Sequence, residues 1–517
     1  MSEPTGVLGD EMWPGHVPAA PDTVQLDTLP HGRRQTPAGA PSGMRRNGLE
    51  PGGERQRPAG WRLLVRAATR LLGGGVADGL PQTTSGLSLT PRQLVRGLSR
   101  PTRTRALRRL GLLPCFRAAD YLTLNRDVAV SRVPANFHAL FLGAHEGRKL
   151  FRPEAVARTL ATLTVREAGC LEATIPSLAA LVARAPRVGV YVSTQGNVFM
   201  REIAEDLATS LRRAGVAAEL LDETTDVATR PKLCVFVAPH EFFLLGQGPR
   251  WVRDDVVASA VMLNTEQVQT SWFVRALPFV LASRGVIDLC AQTCELFGRT
   301  GLPSMHVGLT PPDGAGRLGA SDRQHPLFRV LPAAARADPL ACSKLADRPI
   351  EIAFFGAESP HREAWLARNA GFLAEYDTFI HLRRMARGPI RPGTPDGALT
   401  RLARHVCGHA RISLNLHRDA FAYLEWHRIV RLGMASGSVV VSEPCLPHPV
   451  LRPGVHYFEE NTRQIPDLLE WLLRSEDGRR RAAAVQGHAA ALLAADPDGR
   501  RTAARVLSFL LDGAVAA

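Results

Sequence analysis

Between Ala410 and Leu473 the chain alternates short β-branched apolar runs with helically spaced ones, in the order strand, polar loop, helix, strand, loop, strand, helix. Ile412 to Leu416 predicts a short strand whose far end opens into Asn415, His417, Arg418 and Asp419. Tyr423 to Ala435 predicts a helix that buries Ile429, Val430, Leu432 and Met434, leaves Glu425, His427, Arg428 and Arg431 polar, and stops at Gly437. Val439 to Val441 predicts a second buried strand, which delivers Ser442, Glu443 and Pro444 to the same edge. Ligands bind where parallel strands hand over to loops, so two strand ends carry polar groups towards one crevice.

The same alternation appears earlier. Arg187 to Ser193 predicts a buried strand, followed by a loop with Gly196 and Asn197 and a helix from Phe199 to Ala214, which is how a doubly wound domain begins. Further strands are predicted at Ala217 to Leu221, Leu233 to Ala238, Val261 to Asn264, Val286 to Cys290 and Met305 to Gly308. Their ends present His240 and Glu241, then Asn264, Glu266 and Gln267. Any one of these is as readily a cap or turn residue; their repetition describes a polar wall along one sheet edge. Gln195-Gly196-Asn197 is no dinucleotide fingerprint. From Ile350 a new strand carries Gly356, and Arg362 follows six residues later near a helix start. Glycine lets backbone approach a phosphate closely, and arginine adds charge-assisted hydrogen bonds. Asp467 to Leu473 and Gly478 to Ala495 predict amphipathic scaffold helices. His405, Cys407 and His409 lack an acidic neighbour and read as packing residues rather than metal ligands.

Length and composition set the limits. The 517 residues, 45% hydrophobic, suffice for two or three domains. Residues 1–112, rich in Pro, Gly and Arg, predict a mostly disordered region. The exception is Trp61 to Leu72, whose leucines share a face ringed by arginines and read either as a membrane-surface helix or, more simply, as a transient or loosely held one. After it come a small helical module (113–180), a first Rossmann-like domain (181–310), a linker (311–348) and a second Rossmann-like domain (349–517). The net charge of +14 is almost wholly arginine and favours anionic partners such as phosphates or acidic lipid. Nucleic acid is discounted, because no basic run interleaves with aromatics and no recognition motif occurs. Eight cysteines without a Cys-x-x-Cys, no membrane-length apolar run and no signal core predict a reduced, cytoplasmic protein, one that meets a membrane only peripherally, at its inner face.

Taken as a set, Asn415, His417, Glu425, Arg428, Ala435 to Val440, Glu443, Pro453, Gly454 and Tyr457 resemble the nucleotide-sugar-binding half of GT-B glycosyltransferases, in the branch of spore-maturation-type and "glycosyl transferases group 1" proteins. The likeness spans roughly Ile350 to Leu510. It implies an α/β fold of two doubly wound Rossmann-like domains facing each other across a cleft, with the last helix crossing back to the first. It also implies sugar transfer from a nucleoside diphosphate sugar to a bacterial glycan, lipid-linked saccharide or protein, with no cofactor beyond that donor. On the donor side it implies Gly356, Arg362, Arg418 and Arg428 near the diphosphate, Glu443 or Glu425 near the ribose, and Asn415 and Tyr457 beside them, with His417 and Glu425 in catalysis. Gly196, Asn197, His240, Asn264 and Glu266 would face the acceptor. No metal is implied, since the one Asp-x-Asp, Asp496 to Asp498, lies between terminal helices.

Phe116 to Phe151 is similar to a small helical module attached to bacterial glycan-synthesis proteins, through Tyr121, Asn125, Asp127, Val128, His138, Gly143, Glu146, Gly147 and Arg148. Capping and helix-ending roles are expected of it. One departure from the transferase pattern is Leu432, where retaining enzymes carry a second carboxylate; Glu425 is also displaced by one position. The alternatives it raises are a catalytically silent relative that binds glycan or serves assembly, and a nucleotide-sugar epimerase of the same fold.

Overall fold

The computed structural model describes residues 87–163, 177–185, 187–308, 318–337, 344–384, 388–391 and 393–512. Two wholly parallel sheets organise them. The first contains β1 (Val188–Tyr191), β2 (Ala218–Leu221), β3 (Leu233–Val237), β4 (Val261–Asn264), β5 (Gly285–Asp288) and β6 (Ser304–His306), in the order β2-β1-β3-β4-β5-β6. The second contains β7 (Ile350–Ala357), β8 (Thr378–Arg383), β9 (Ala410–Asn415), β10 (Val439–Ser442) and β11 (Phe458–Glu459), in the order β11-β10-β9-β7-β8. This is the α/β fold with two doubly wound sheets expected from the sequence.

Strand residues alternate between two cores, as a period of two requires. Val188, Val190, Val235, Val237, Val261, Leu263 and Ile287 meet Ala204, Leu207 and Leu211 of the helix Val198–Arg213. Tyr191, Phe236, Met262 and Val286 point the other way, into an aromatic cluster with Phe242, Phe243, Trp251, Phe273 and Phe279. In the second sheet Ile352, Ile412, Leu414, Val439 and Val441 pack with Leu469, Leu472 and Val485 of the terminal helices.

Several boundaries differ from expectation. Residues 91–112 are not disordered: they form the helices Pro91–Gly97 and Arg100–Leu112, which bury Leu94, Leu98, Ala106 and Leu110 in the aromatic core. Their apolar face is too narrow to stand alone and is completed by the helix Ser271–Ala282. Arg109 donates to the Leu281 and Ser283 carbonyls at 2.8 and 2.9 Å, and Arg105 to that of Ala282 at 2.9 Å, so guanidinium groups close that helix's carboxyl end. Trp61 to Leu72 lies outside the described residues. The module's Tyr121, Phe141 and Phe151 join the same core, and among the described residues it has no separate one. Within the expected linker, Phe328, Leu331 and Ala335 pack on Ile350, Leu402 and Val406 of the second lobe.

The crossing back to the first lobe is made by the helix Arg500–Asp512, not by the preceding Glu476–Ala494. Val506, Leu507, Phe509 and Leu510 enter the first sheet's core. The edge strand β8 has no counterpart among the predicted elements; His381 interrupts its apolar run, and most of its residues are only half-buried. The helix predicted from Tyr423 starts later, at Trp426. It winds as a π-helix over His427–Gly433, then as a 3₁₀ turn, and ends at Gly437, whose φ of 72° suits glycine. Among the described residues no helix is long and apolar enough to cross a membrane.

Candidate functional site

At the carboxyl edge of the first sheet, the ends of β1, β3, β4 and β5 contribute polar groups to a buried wall. Asn197 follows β1 and caps the helix Val198–Arg213 by accepting from the Phe199 amide at 3.2 Å, while its own amide donates to Glu241 Oε2 at 2.8 Å. Gly196 lies so close to that carboxylate that a Cβ would stand 2.4 Å from Glu241 Oε2. Asn264, at the end of β4 and 0% exposed, donates to Asp288 Oδ2 at 2.8 Å, and Asp288 Oδ1 accepts from the Cys290 amide at 2.8 Å. His240 Nε2 stands 3.6 Å from Glu266 Oε1, and its ring packs on Trp272.

Burial dominates the electrostatics of this wall. It pushes Glu241 up to about 8, only partly opposed by the Asn197 amide. It pushes Asp288 up to about 8 and Glu266 up to about 7, the latter restrained by Arg418 and a bond to Thr270. Burial, aided by Arg275, holds His240 neutral, down to about 3. The wall is therefore a row of weak acids beside a neutral imidazole.

The facing edge is cationic. Arg362 is 1% exposed, and its guanidinium donates to the carbonyls of Leu416 and Ala357 at 3.0 and 2.9 Å, with Glu425 Oε1 at 3.5 Å. Burial and the neighbouring Arg428 lower it to about 9. Arg428 Nε meets Glu425 Oε2 at 2.8 Å and Nη1 donates to Leu416 O at 3.3 Å; both guanidinium groups lie over the Phe354 ring. A Cβ on Gly356 would stand 2.7 Å from that ring, so this glycine makes room for the arginine cluster. Burial raises the Glu425 carboxyl, but Arg428, Arg362, His417 and His427 outweigh it and hold the group below its usual range.

Glu443 accepts from the His417 amide and pairs with His361 Nε2 at 2.7 Å. His417 Nε2 meets the Pro444 carbonyl at 2.9 Å, and Asn415 Nδ2 donates to Ser442 Oγ at 2.9 Å, leaving Asn415 Oδ1 buried without a partner. Arg418 is half-buried, and its charge reaches both Arg362 and Glu266. Tyr423, half-buried, is likewise influenced from both edges, its hydroxyl pushed well up by burial and by Cys290, Asp288, Glu266 and Glu425. Gln292, just after β5, donates to the Pro447 carbonyl in the loop after β10, so the two sheet edges face each other.

Not every expected residue joins this cluster. Tyr457 is 1% exposed in the second lobe's core, and its hydroxyl donates to Glu459, which accepts from the Cys445 amide; it braces the loop after β10. His427 turns towards the first lobe, its ring edge-on to Phe199. Leu432 is buried with Ala403 and Cys407, so its position belongs to a core. His405 and His409 meet the carbonyls of Ala335 and His405, at 2.8 and 3.0 Å. In the helical module Tyr121 bonds His138 at 2.9 Å, Asn125 bonds the Tyr121 and Lys149 carbonyls, Arg148 pairs with Asp127 and Glu146, and Gly147 ends a helix at φ 69°, all structural roles.

Asp288, His361, Tyr423 and the Glu202 and Arg431 pair described below were absent from the sequence-derived candidates. Only Asp288 had a signal: it is the last residue of β5, whereas the predicted strand ran on to Cys290.

Solved structures of similar fold include Anabaena HepE in complex with UDP and glucose, at 10% identity and a TM-score of 0.39, covering 62% of this chain and 99% of that one. A glycosyltransferase from Rickettsia africae matches at 10% identity and 0.37, covering 63% and 99%. An α1,3-fucosyltransferase with GDP-fucose matches at 8% and 0.29, covering 64% and 87%. No protein-family model and no curated protein matches the chain.

Proposed function

We propose that the chain is a GT-B-type glycosyltransferase that moves a sugar from a nucleoside diphosphate donor to a hydroxyl acceptor, a bacterial glycan, lipid-linked saccharide or protein. One observation supports it above the rest: an arginine-rich strand edge faces a row of buried carboxyl groups close to neutral pKa. A departing diphosphate needs positive charge placed where its own charge develops. Arg418 and Arg428 supply it, and because they do so no metal is invoked. Arg362, whose donors are already engaged, positions Glu425 and through it Arg428.

An acceptor hydroxyl needs a base whose pKa lies near the working pH, and Glu266, at about 7 and in reach of Arg418, meets that condition. Glu425, held charged between two arginines, is a weak base and a good orienting group. Leu432 lies in a core, so its apolar character does not favour the silent alternative.

Calorimetry of the full chain against UDP-, GDP- and dTDP-sugars, followed by product analysis, tests the proposal. Binding of one of them and release of the nucleoside diphosphate on transfer, or slowly to water, is expected. Glu266→Gln should keep donor affinity and lose transfer. A folded protein that binds none of the three sinks the proposal, and a new free sugar nucleotide identifies an epimerase instead.

A further inference from the structure

From Ser88 to Arg117 the chain carries eight arginines and no acidic residue or lysine. Three of them, Arg103, Arg105 and Arg109, reach inward to backbone carbonyls. The helix Arg100–Leu112 buries Thr102, Ala106, Arg109 and Leu110, and turns Arg100, Thr104, Arg108 and Leu112 outward at spacings of four residues. Arg100, Pro101, Thr104, Arg105 and Arg108 line a shallow open depression of about 590 Å³. Arg100 and Arg108 are exposed and make no hydrogen bond or ion pair among the described residues. The Arg105 Nε is buried without a partner, although its Nη2 is bonded to Ala282. One turn beyond Arg108, Leu112 is 52% exposed. The acid that touches the helix, Asp254, lies at its amino end and accepts from the Ser99 amide at 2.9 Å.

We propose that this outer face docks on an anionic phospholipid bilayer, with Arg100 and Arg108 seated around a lipid phosphate, the charge of Arg105 behind them, and Leu112 entering the acyl boundary. The guanidinium groups of Arg100 and Arg108 suit phosphate oxygens, and crowding of like charges makes an anion favourable there. The same crowding is felt inside the protein, where burial together with Arg105 and Arg108 lowers Arg109 to about 10. An apolar side chain continuing the cationic stripe suits a bilayer interface. Single-stranded nucleic acid would call for an aromatic platform on this face, and none is present on the helix. Arg105 and Arg109 bond the carboxyl end of the helix that leads into β5, so the patch lies by the amino edge of the first sheet, opposite the edge that carries Asn264 and Glu266. Docking there leaves the candidate site open.

The test is co-sedimentation of the full chain with vesicles of phosphatidylcholine alone and of equal parts phosphatidylcholine and phosphatidylglycerol, at low and high salt. Binding only to the anionic vesicles, weakened by salt, is expected. An arginine near an anionic surface is worth roughly fivefold in binding, so R100Q with R108Q should weaken it on the order of 25-fold. Neither side chain holds the fold together, and donor affinity should be unchanged. Soluble glycerol phosphate should compete poorly if the occupant is a bilayer and fully if it is a free phosphate compound. Three results overturn the proposal: full competition by glycerol phosphate, vesicle binding unaltered in the folded double variant, and tighter binding of duplex DNA than of anionic vesicles.

Discussion

The two lobes are joined by a buried ionic cluster that offers a quantitative test of how they hold together. Glu202, on the helix Val198–Arg213 of the first lobe, reaches three basic side chains of the second: Arg431 at 3.1 Å, His427 at 3.6 Å and Arg404 at 3.7 Å. Arg431 also pairs with Asp206. The side chains of Arg431, Arg404 and Asp206 are 6, 7 and 3% exposed, and that of Glu202 is 13%. Removing one member of such a set strands charge out of water and costs about 3 to 5 kcal/mol. Because Asp206 still holds Arg431, Glu202→Gln should fall at the low end, about 3 kcal/mol. A second route gives the same size. Burial alone would raise the Glu202 carboxyl, but His427, Arg431 and Arg404 bring it down to about 2 from an ordinary 4.5, a difference equivalent to about 3 kcal/mol. A depressed carboxylate contributes fully above its ordinary value, and the contribution is lost as pH falls through the depressed one. The wild type and the Gln variant should therefore differ by a constant amount from neutrality to about 4.5 and converge near 2. Urea unfolding of both proteins across that range measures it. A loss below about 0.5 kcal/mol, the size expected of an exposed pair, would refute the reasoning and mean that water enters the seam.

Three further outcomes follow from the geometry. Arg428→Ala should weaken binding of a nucleoside diphosphate tenfold or more and leave the nucleoside unaffected, since a charge-assisted bond is worth roughly 1.5 to 3 kcal/mol; Arg362→Ala should weaken both, because it unfastens the Leu416 and Ala357 carbonyls. A chain beginning at residue 113 should be insoluble, because Leu94, Leu98, Ala106 and Leu110 are part of the core, and Arg109→Ala in the full chain should cost about 1 to 3 kcal/mol by thermal unfolding. Glu241 and Asp288 hold protons in the folded state that the unfolded chain releases, so their contribution is present at low pH and lost as pH rises from about 4 to about 8; Asp288→Asn should flatten that slope in a pH series of melting curves.

The sheets were legible in the sequence because buried parallel strands are short β-branched runs, and most predicted strands lie within two residues of the observed ones. What the sequence hid was relations between distant positions. Glu202 and Arg431 are 229 residues apart, and neither position looks unlike a solvated helix residue by itself. Arg362 read as a phosphate ligand from its spacing after Gly356, yet the fold turns its guanidinium into protein carbonyls, a fate that depends on where β9 ends. Asp288 was hidden inside an overlong strand. The helices at 91–112 looked too sparse in apolar groups to fold because the face that completes them is supplied by residues 271–282.

Arg418 couples the two halves of the site. Its charge restrains the rise of Glu266, and it lies by the arginines assigned to the diphosphate. When a diphosphate takes up that charge, Glu266 loses the influence that keeps its pKa down, so donor binding strengthens its hold on a proton. The unprotonated carboxylate is then a stronger base towards an acceptor hydroxyl, but a smaller share of the molecules carries it at neutral pH. Linkage is reciprocal: if the donor favours protonated Glu266, protonation of Glu266 must favour the donor by the same factor. Donor affinity should accordingly rise as pH falls through about 7. Calorimetry across that range measures the effect, and the dependence should disappear in Glu266→Gln and shrink in Arg418→Ala. A pH dependence that survives unchanged in Glu266→Gln would place the titrating group elsewhere and break the proposed coupling between the two edges.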